Sequence, residues 1–152
     1  MAKEYGICIR TVEIRGFYPD KLSDKSHLTG LLNDAFTGIH KLQLYESPAA
    51  LEFFTQNPLP CLRELELGSY WMSVPGLESF VRTHAKSLRS LYLEDIWLLQ
   101  ERHDDRGIHL STADTETILD NIRPICDLGI LQELRMNRRD TGQWEIHRRF
   151  DN

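Results

Sequence analysis

Cys61-Leu62-Arg63-Glu64-Leu65-Glu66-Leu67 and Ser87-Leu88-Arg89-Ser90-Leu91-Tyr92-Leu93 carry one pattern, L-x-x-L-x-L, with leucine at relative positions 1, 4 and 6. The leucines at positions 4 and 6 are two residues apart, so in a strand they share a face while positions 3, 5 and 7 point to the other. Between the two copies, residues 75–84 place Leu77, Phe80 and Val81 at i, i+3 and i+4, the spacing of one helical face. The unit is therefore strand, loop, helix, loop. Such a unit cannot bury its apolar face alone and must stack on others of its kind.

The same template fits three more stretches: Ile9-Arg10-Thr11-Val12-Glu13-Ile14, Ile39-His40-Lys41-Leu42-Gln43-Leu44 and Leu131-Gln132-Glu133-Leu134-Arg135-Met136. Strands are expected near 9–14, 39–44, 62–67, 88–93 and 131–136, with steps of 30, 23, 26 and 43 residues. Leucine-rich repeats recur at roughly 20–29 residues. The pattern predicts one domain over residues 1–152, a right-handed α/β leucine-rich-repeat solenoid of about five irregular repeats, its parallel sheet concave and its helices convex. The end repeats are expected to expose apolar edges, which favours a homodimer or an end-capping partner.

The segments between strands follow from turn and cap chemistry. Gly16, Pro19 and Asp20 mark a loop, after which Leu28, Leu31, Leu32, Ala35 and Phe36 lie at helical spacing. Ser47-Pro48 reads as an N-cap followed by proline in the first turn, and Ser73-Val74-Pro75 starts the next helix in the same way. Residues 100–110 are expected to form a polar insertion loop, followed by a helix through Ile118, Leu119, Ile122, Ile125 and Cys126 that kinks or ends near Arg123 because of Pro124. Trp144, Ile146 and Phe150 read as a last partial strand or cap.

Bulk properties narrow the function. With 152 residues and 41% hydrophobic content the chain can bury one core. A net charge of −5 gives no reason to expect nucleic acid or an anionic membrane as partner. The first ten residues lack the apolar run of a signal peptide, and no stretch approaches the ~20 apolar residues of a membrane span, so an intracellular protein, cytoplasmic or nuclear, is expected. Cys8, Cys61 and Cys126 are odd in number and far apart, and are read as reduced, mostly buried thiols.

Residues 82–96, Arg82-Thr83-His84-Ala85-Lys86-Ser87-Leu88-Arg89-Ser90-Leu91-Tyr92-Leu93-Glu94-Asp95-Ile96, resemble the repeat region of fungal F-box-like leucine-rich-repeat proteins. In that style a helix ending in His precedes a Ser/Thr-Leu-Arg-x-Leu strand and an acidic dipeptide. The resemblance covers roughly residues 39–97 and implies a substrate-binding module of a ubiquitin-ligase adaptor. The first strand begins so early that no F-box is expected ahead of the repeats.

The strand period makes the binding reading specific. Position 3 holds Thr11, Lys41, Glu64, Ser90 and Glu133; position 5 holds Glu13, Gln43, Glu66, Tyr92 and Arg135; position 7 holds Arg15, Tyr45, Gly68, Glu94 and Asn137. These rows should face outward, and Lys41, Gln43, Tyr45, Glu64, Glu66, Tyr92, Glu94 and Arg135 are the candidate partner-binding residues. An acidic centre around two tyrosines suits a basic peptide or protein surface. Ordinary solvated strand residues would look the same.

Catalytic readings are thinner. His103-Asp104-Asp105 with His109 supplies metal-ligand types within one loop and is the basis of the alternative, a small metal-dependent enzyme; a self-standing scaffold is the other. No cofactor is expected, because phosphate-cradle, nucleophile-elbow and zinc-helix motifs are missing from the sequence. Cys126 sits in an apolar helical register, His84 reads as a helix C-cap, His40 as a surface strand residue, and Trp71 and Trp97 as buried under the strand-to-helix loops. Trp144, if exposed, would anchor a partner.

Overall fold

The structure, a computed structural model, describes residues 9–16, 35–104, 107–112, 123–137 and 145–149. Five strands, β1 (Thr11–Arg15), β2 (Lys41–Tyr45), β3 (Glu64–Ser73), β4 (Ser90–Asp104) and β6 (Glu133–Asn137), lie side by side and parallel. Their register follows the sequence template. Position 4 runs Val12, Leu42, Leu65, Leu91, Leu134 as directly paired neighbours, and position 6 runs Ile14, Leu44, Leu67, Leu93, Met136. Each ladder begins two residues later than the template, at position 3.

The apolar rows face two helices, α1 (Pro48–Gln56) and α2 (Val74–Thr83), in one core. Leu42, Leu44, Leu65, Leu67, Leu91 and Leu93 pack there with Leu51, Phe54, Leu77, Phe80 and Val81, all fully or almost fully buried. Position 1 adds Ile39, Leu62, Leu88 and Leu131. At ~1.5–3 kcal/mol per fully buried aliphatic or Phe side chain, these rows are the main source of stability. Burial falls off at the ends: Val12, Ile14 and Met136 are half-covered and Ile9 is exposed.

The helices start as their sequences require, with one difference. Ser73 accepts from the Gly76 N–H and caps α2. Ser47 precedes α1 but does not cap with its side chain; buried, it donates to the Tyr45 carbonyl at 2.7 Å. His84 closes α2, its Nδ1 2.9 Å from the Phe80 carbonyl and its Nε2 accepting the Leu59 N–H at 3.1 Å. Of the first expected helix, only residues 35–36 are described, and they are helical.

After position 7 the strands β1 to β4 each meet a left-handed residue: Gly16 (φ 62°), Glu46 (φ 51°), Ser69 (φ 59°) and Asp95 (φ 50°). In β3 and β4 the ladder resumes beyond it, Tyr70 pairing Ile96 and Trp71 pairing Trp97. The irregular residue shifts the side-chain alternation by one. Leu65 and Leu67 point inward on odd numbers, but beyond Ser69 it is Met72 that is buried, and Trp71 is 50% exposed. The expected burial of Trp71 is thus corrected, while the Trp97 side chain and Trp144 lie outside the described residues.

The polar insertion loop near 100–110 is also corrected. β4 continues to Asp104 and pairs antiparallel with β5 (Gly107–Thr112), forming a hairpin. The alternation Ile108-His109-Leu110 carries the strand signal, and the run Glu101-Arg102-His103-Asp104 masks it with charge. β7 (Glu145–Arg149) pairs antiparallel with β6, so the expected last strand forms and Ile146 lies opposite Met136. Residues 123–126 are helical; the rest of the expected helix, and with it the kink or end near Arg123, lies outside the described residues. The bond closing that turn runs from the Asp127 N–H to the Arg123 carbonyl at 2.8 Å and needs no N–H from Pro124. No helix among the described residues is long and apolar enough to cross a membrane.

Candidate functional site

Positions 3 and 5 form two polar rungs on the sheet face opposite the helices. Rung 3 reads Thr11, Lys41, Glu64, Ser90, Glu133 and rung 5 reads Glu13, Gln43, Glu66, Tyr92, Arg135, each residue directly opposite the next. Neighbouring strands are ~4.8 Å apart, so side chains within and between rungs reach one another.

Glu66 is the hub. Tyr45 Oη donates to Oε1, while Gln43 Nε2 donates to Oε2 at 2.8 Å and Lys41 Nζ lies 3.2 Å from the same oxygen. Burial alone would push this carboxyl up, but the hydrogen bonds from Tyr45, Gln43 and Lys41 overcome it and hold Glu66 below the usual carboxylate range. The Tyr45 phenol is raised, first by burial and then by the Glu66 carboxylate that accepts its proton, so it stays a donor. Both Glu66 oxygens are engaged, which makes this residue an organiser of the face rather than a free contact.

Position 7 differs from the expected outward row. Tyr45 and Glu94 are each only 8% exposed. The Tyr45 ring lies against Gly68, its direct partner in register, with the Arg15 guanidinium 4.3 Å from the ring centroid on the neighbouring strand. A Cβ at residue 68 would sit 2.4 Å from Tyr45 Cδ1, so glycine is what lets the ring lie down and bring its hydroxyl to Glu66. Gly68 was not singled out by the sequence reading, although its place opposite Tyr45 in the template carried the signal.

What remains open is the centre. A shallow depression of about 400 Å³ is lined by Lys41, Glu64, Glu66, Ser90, Tyr92, Glu133 and Arg135. Tyr92 is half-buried on the rung between Glu66 and Arg135, and Glu64 is exposed beside it. Arg135 is 2.9 Å from Glu133. The centre is less acidic than the composition of the rows suggested, because Lys41 and Arg135 each sit on a carboxylate. Such a surface can hold a partner by hydrogen bonds and by contact with the tyrosine ring.

The other candidates separate from this face. Register places His103 opposite Ile108 and His109 opposite Arg102, so the two histidines are not cross-strand partners, and Asp105 lies outside the described residues. His84 has both ring nitrogens committed to backbone groups and is buried against Phe80, which leaves it structural. Cys126 packs partly against the core, as its register implied, but Cys61 is exposed, contrary to the expected buried thiol. Cys8 lies outside the described residues. His40 and Cys61 line a second cavity, on a different side of the strands, with Arg63, Lys86, Ser87 and Arg89. Compared with protein-family models, with curated proteins and with solved structures, the chain finds no match.

Proposed function

We propose that this chain is a non-catalytic protein-recognition module, built as a short leucine-rich-repeat solenoid, whose sheet face opposite α1 and α2 receives a partner protein. The observation that carries it is the alignment of rungs 3 and 5 across five strands, with a half-buried tyrosine in a 400 Å³ depression flanked by charges of both signs. Tyrosine beside fixed charges is the composition of an interface anchor with an orienting rim. The partner segment presents a cation toward Glu64 and a donor or apolar edge toward Tyr92. In the role that the repeat style suggests, the face selects the substrate of a ubiquitin-ligase adaptor whose ligase-linking part is a separate module.

The test is affinity capture with mass spectrometry on wild type and on Glu64→Lys/Tyr92→Ala, which leaves the Glu66 network intact. Partners held by wild type should be lost from the double variant while its thermal midpoint stays within a few degrees. Capture of the same proteins in the same amounts by both would refute this face as the site.

A further inference from the structure

Position 2 of the template was silent in the sequence reading and forms a row of its own: Arg10, His40, Arg63, Arg89 and Gln132. The backbone fixes this row firmly. The Arg10 carbonyl accepts from His40 and Lys41 at 2.8 and 2.9 Å, that of His40 from Arg63 and Glu64 at 2.8 and 2.9 Å, and that of Arg63 from Arg89 and Ser90 at 2.8 and 3.0 Å. Arg63 and Arg89 therefore emerge side by side from adjacent strands at the ~4.8 Å strand spacing, with His40 and then Arg10 continuing the row. They stand at the N-terminal ends of the strands, ahead of rung 3.

The cavity here, about 410 Å³, is lined by His40, Arg63, Lys86 and Arg89 together with Pro60, Cys61 and Ser87, and among the described residues no carboxylate contributes to it. That is unexpected in a chain with 23 acidic and 18 basic residues. On the sheet face, by contrast, Lys41 and Arg135 are both paired. Arg89 is held by its donation to the Leu88, Lys86 and Ala85 carbonyls at 2.6, 3.1 and 3.3 Å, which fixes a positive charge in the wall. Arg63 and Lys86 are exposed and make no ion pair with another described residue.

We infer that this rim binds a phosphorylated side chain of a partner protein. A phosphate monoester brings close to two negative charges and three strong acceptors, which two unpaired cations and a fixed arginine complement. A long nucleic acid fits less well, because its phosphates would continue past the rim onto a chain of net charge −5. The rim is a different surface from the one carrying Tyr92, so either can fail alone.

The experiment is fluorescence anisotropy on the full chain at low salt, with a labelled octapeptide holding two phosphoserines, its unphosphorylated counterpart and an oligothymidine. Arg63→Glu/Lys86→Glu should weaken phosphopeptide binding at least about tenfold and Arg63→Glu alone at least about threefold, whereas Arg82→Glu on α2, the same single charge reversal elsewhere, should alter it less than about twofold. Circular dichroism establishes that the variants fold. Bound phosphopeptide should also slow iodoacetamide alkylation of Cys61, followed by peptide mass mapping. The inference is overturned if the phosphopeptide binds no better than the unphosphorylated one, if oligothymidine binds more tightly, or if the rim variant binds as wild type does. Displacement by inorganic phosphate as effective as by unlabelled phosphopeptide would reject a protein side chain as the occupant.

Discussion

At the scale of single residues, the contact between Tyr45 and Gly68 couples packing to the electrostatics of the open face. Gly68→Ala would drive a methyl into a ring that is buried and tethered by its hydroxyl, so the ring must leave Gly68 or Glu66. Overpacking of this kind costs about 1–3 kcal/mol. In a Tyr45→Ala background the same substitution should cost far less, and a double-mutant cycle read by urea denaturation measures that coupling; additive costs would mean that the ring does not lie on Gly68.

Two groups give the stability a defined pH dependence. His84 is lowered below its ordinary value, chiefly by burial. Above about pH 6.5 it is neutral in both states and contributes no slope. As pH falls below that, the unfolded chain takes up a proton that the folded chain resists, so stability is lost until the folded pKa is passed. Glu66 is lowered from 4.5, so its stabilisation is present above that value and is lost as pH falls through its folded pKa. Urea midpoints should therefore fall between pH 7 and 5.5 and again below about pH 4.5. His84→Gln should flatten the first decline alone; an unchanged slope there would place His84 in solvent. The sequence showed that His84 would cap a helix, because a His after Arg82-Thr83 ends the apolar period. It could not show that Leu59, 25 residues away, donates to the other nitrogen.

At the scale of elements, the strands were legible because positions 4 and 6 repeat without exception. The paired rows match the template residue for residue, and the first turns of both helices were marked by Ser-Pro or Ser-x-Pro. The extensions of β3 and β4 were not legible. A left-handed Ser69 or Asp95 leaves no consistent alternation across it, so Trp71 and Met72 exchange the faces that a simple period assigns them. The β4–β5 hairpin was hidden for a related reason: its outer part carries charges that a period argument reads as loop. The recurring left-handed residue is itself testable. Glu46 holds φ 51° without the local hydrogen-bonding side chain that eases this conformation for Asn or Asp. Glu46→Gly should stabilise the chain by about 0.5–1 kcal/mol, since glycine relieves the strain at some cost in unfolded-state entropy. A loss of stability on chemical denaturation would show that the turn is not left-handed.

At the scale of the whole molecule, one core lies between the parallel strands and the two helices, and among the described residues its burial falls off toward β1 and β6. Leu65 and Leu91 are each 1% exposed in the middle of the leucine rows. Leu91→Asp would remove a core leucine and bury an unpaired carboxyl, which must take up a proton to stay there, and should weaken or abolish cooperative unfolding, since the combined cost is a large share of the ~5–15 kcal/mol by which a domain of this kind is stable. A soluble Leu91→Asp protein with a sharp thermal transition would contradict the packing. The polar rungs were legible to the same degree as the rows between them, because one alternation fixes both. The pairing within the rungs was not: that Glu66 is taken by Tyr45, Gln43 and Lys41 depends on side-chain reach, and it moves the available contacts to Glu64, Tyr92 and Arg135.

The parallel register of the strands is the claim on which the open face and the basic rim both depend. Cysteine pairs test it in a background with Cys8, Cys61 and Cys126 replaced by serine. Lys41→Cys with Glu64→Cys, Glu64→Cys with Ser90→Cys, and Ser90→Cys with Glu133→Cys each place two thiols on one rung. A spacing of ~4.8 Å falls within the ~4.4–6.8 Å that a disulfide spans, whereas Glu64→Cys with Glu94→Cys are four residues out of step, more than ~12 Å apart. Mild oxidation should close the three rung pairs and leave the fourth open; closure of the fourth with the rung pairs unreacted would contradict the parallel sheet.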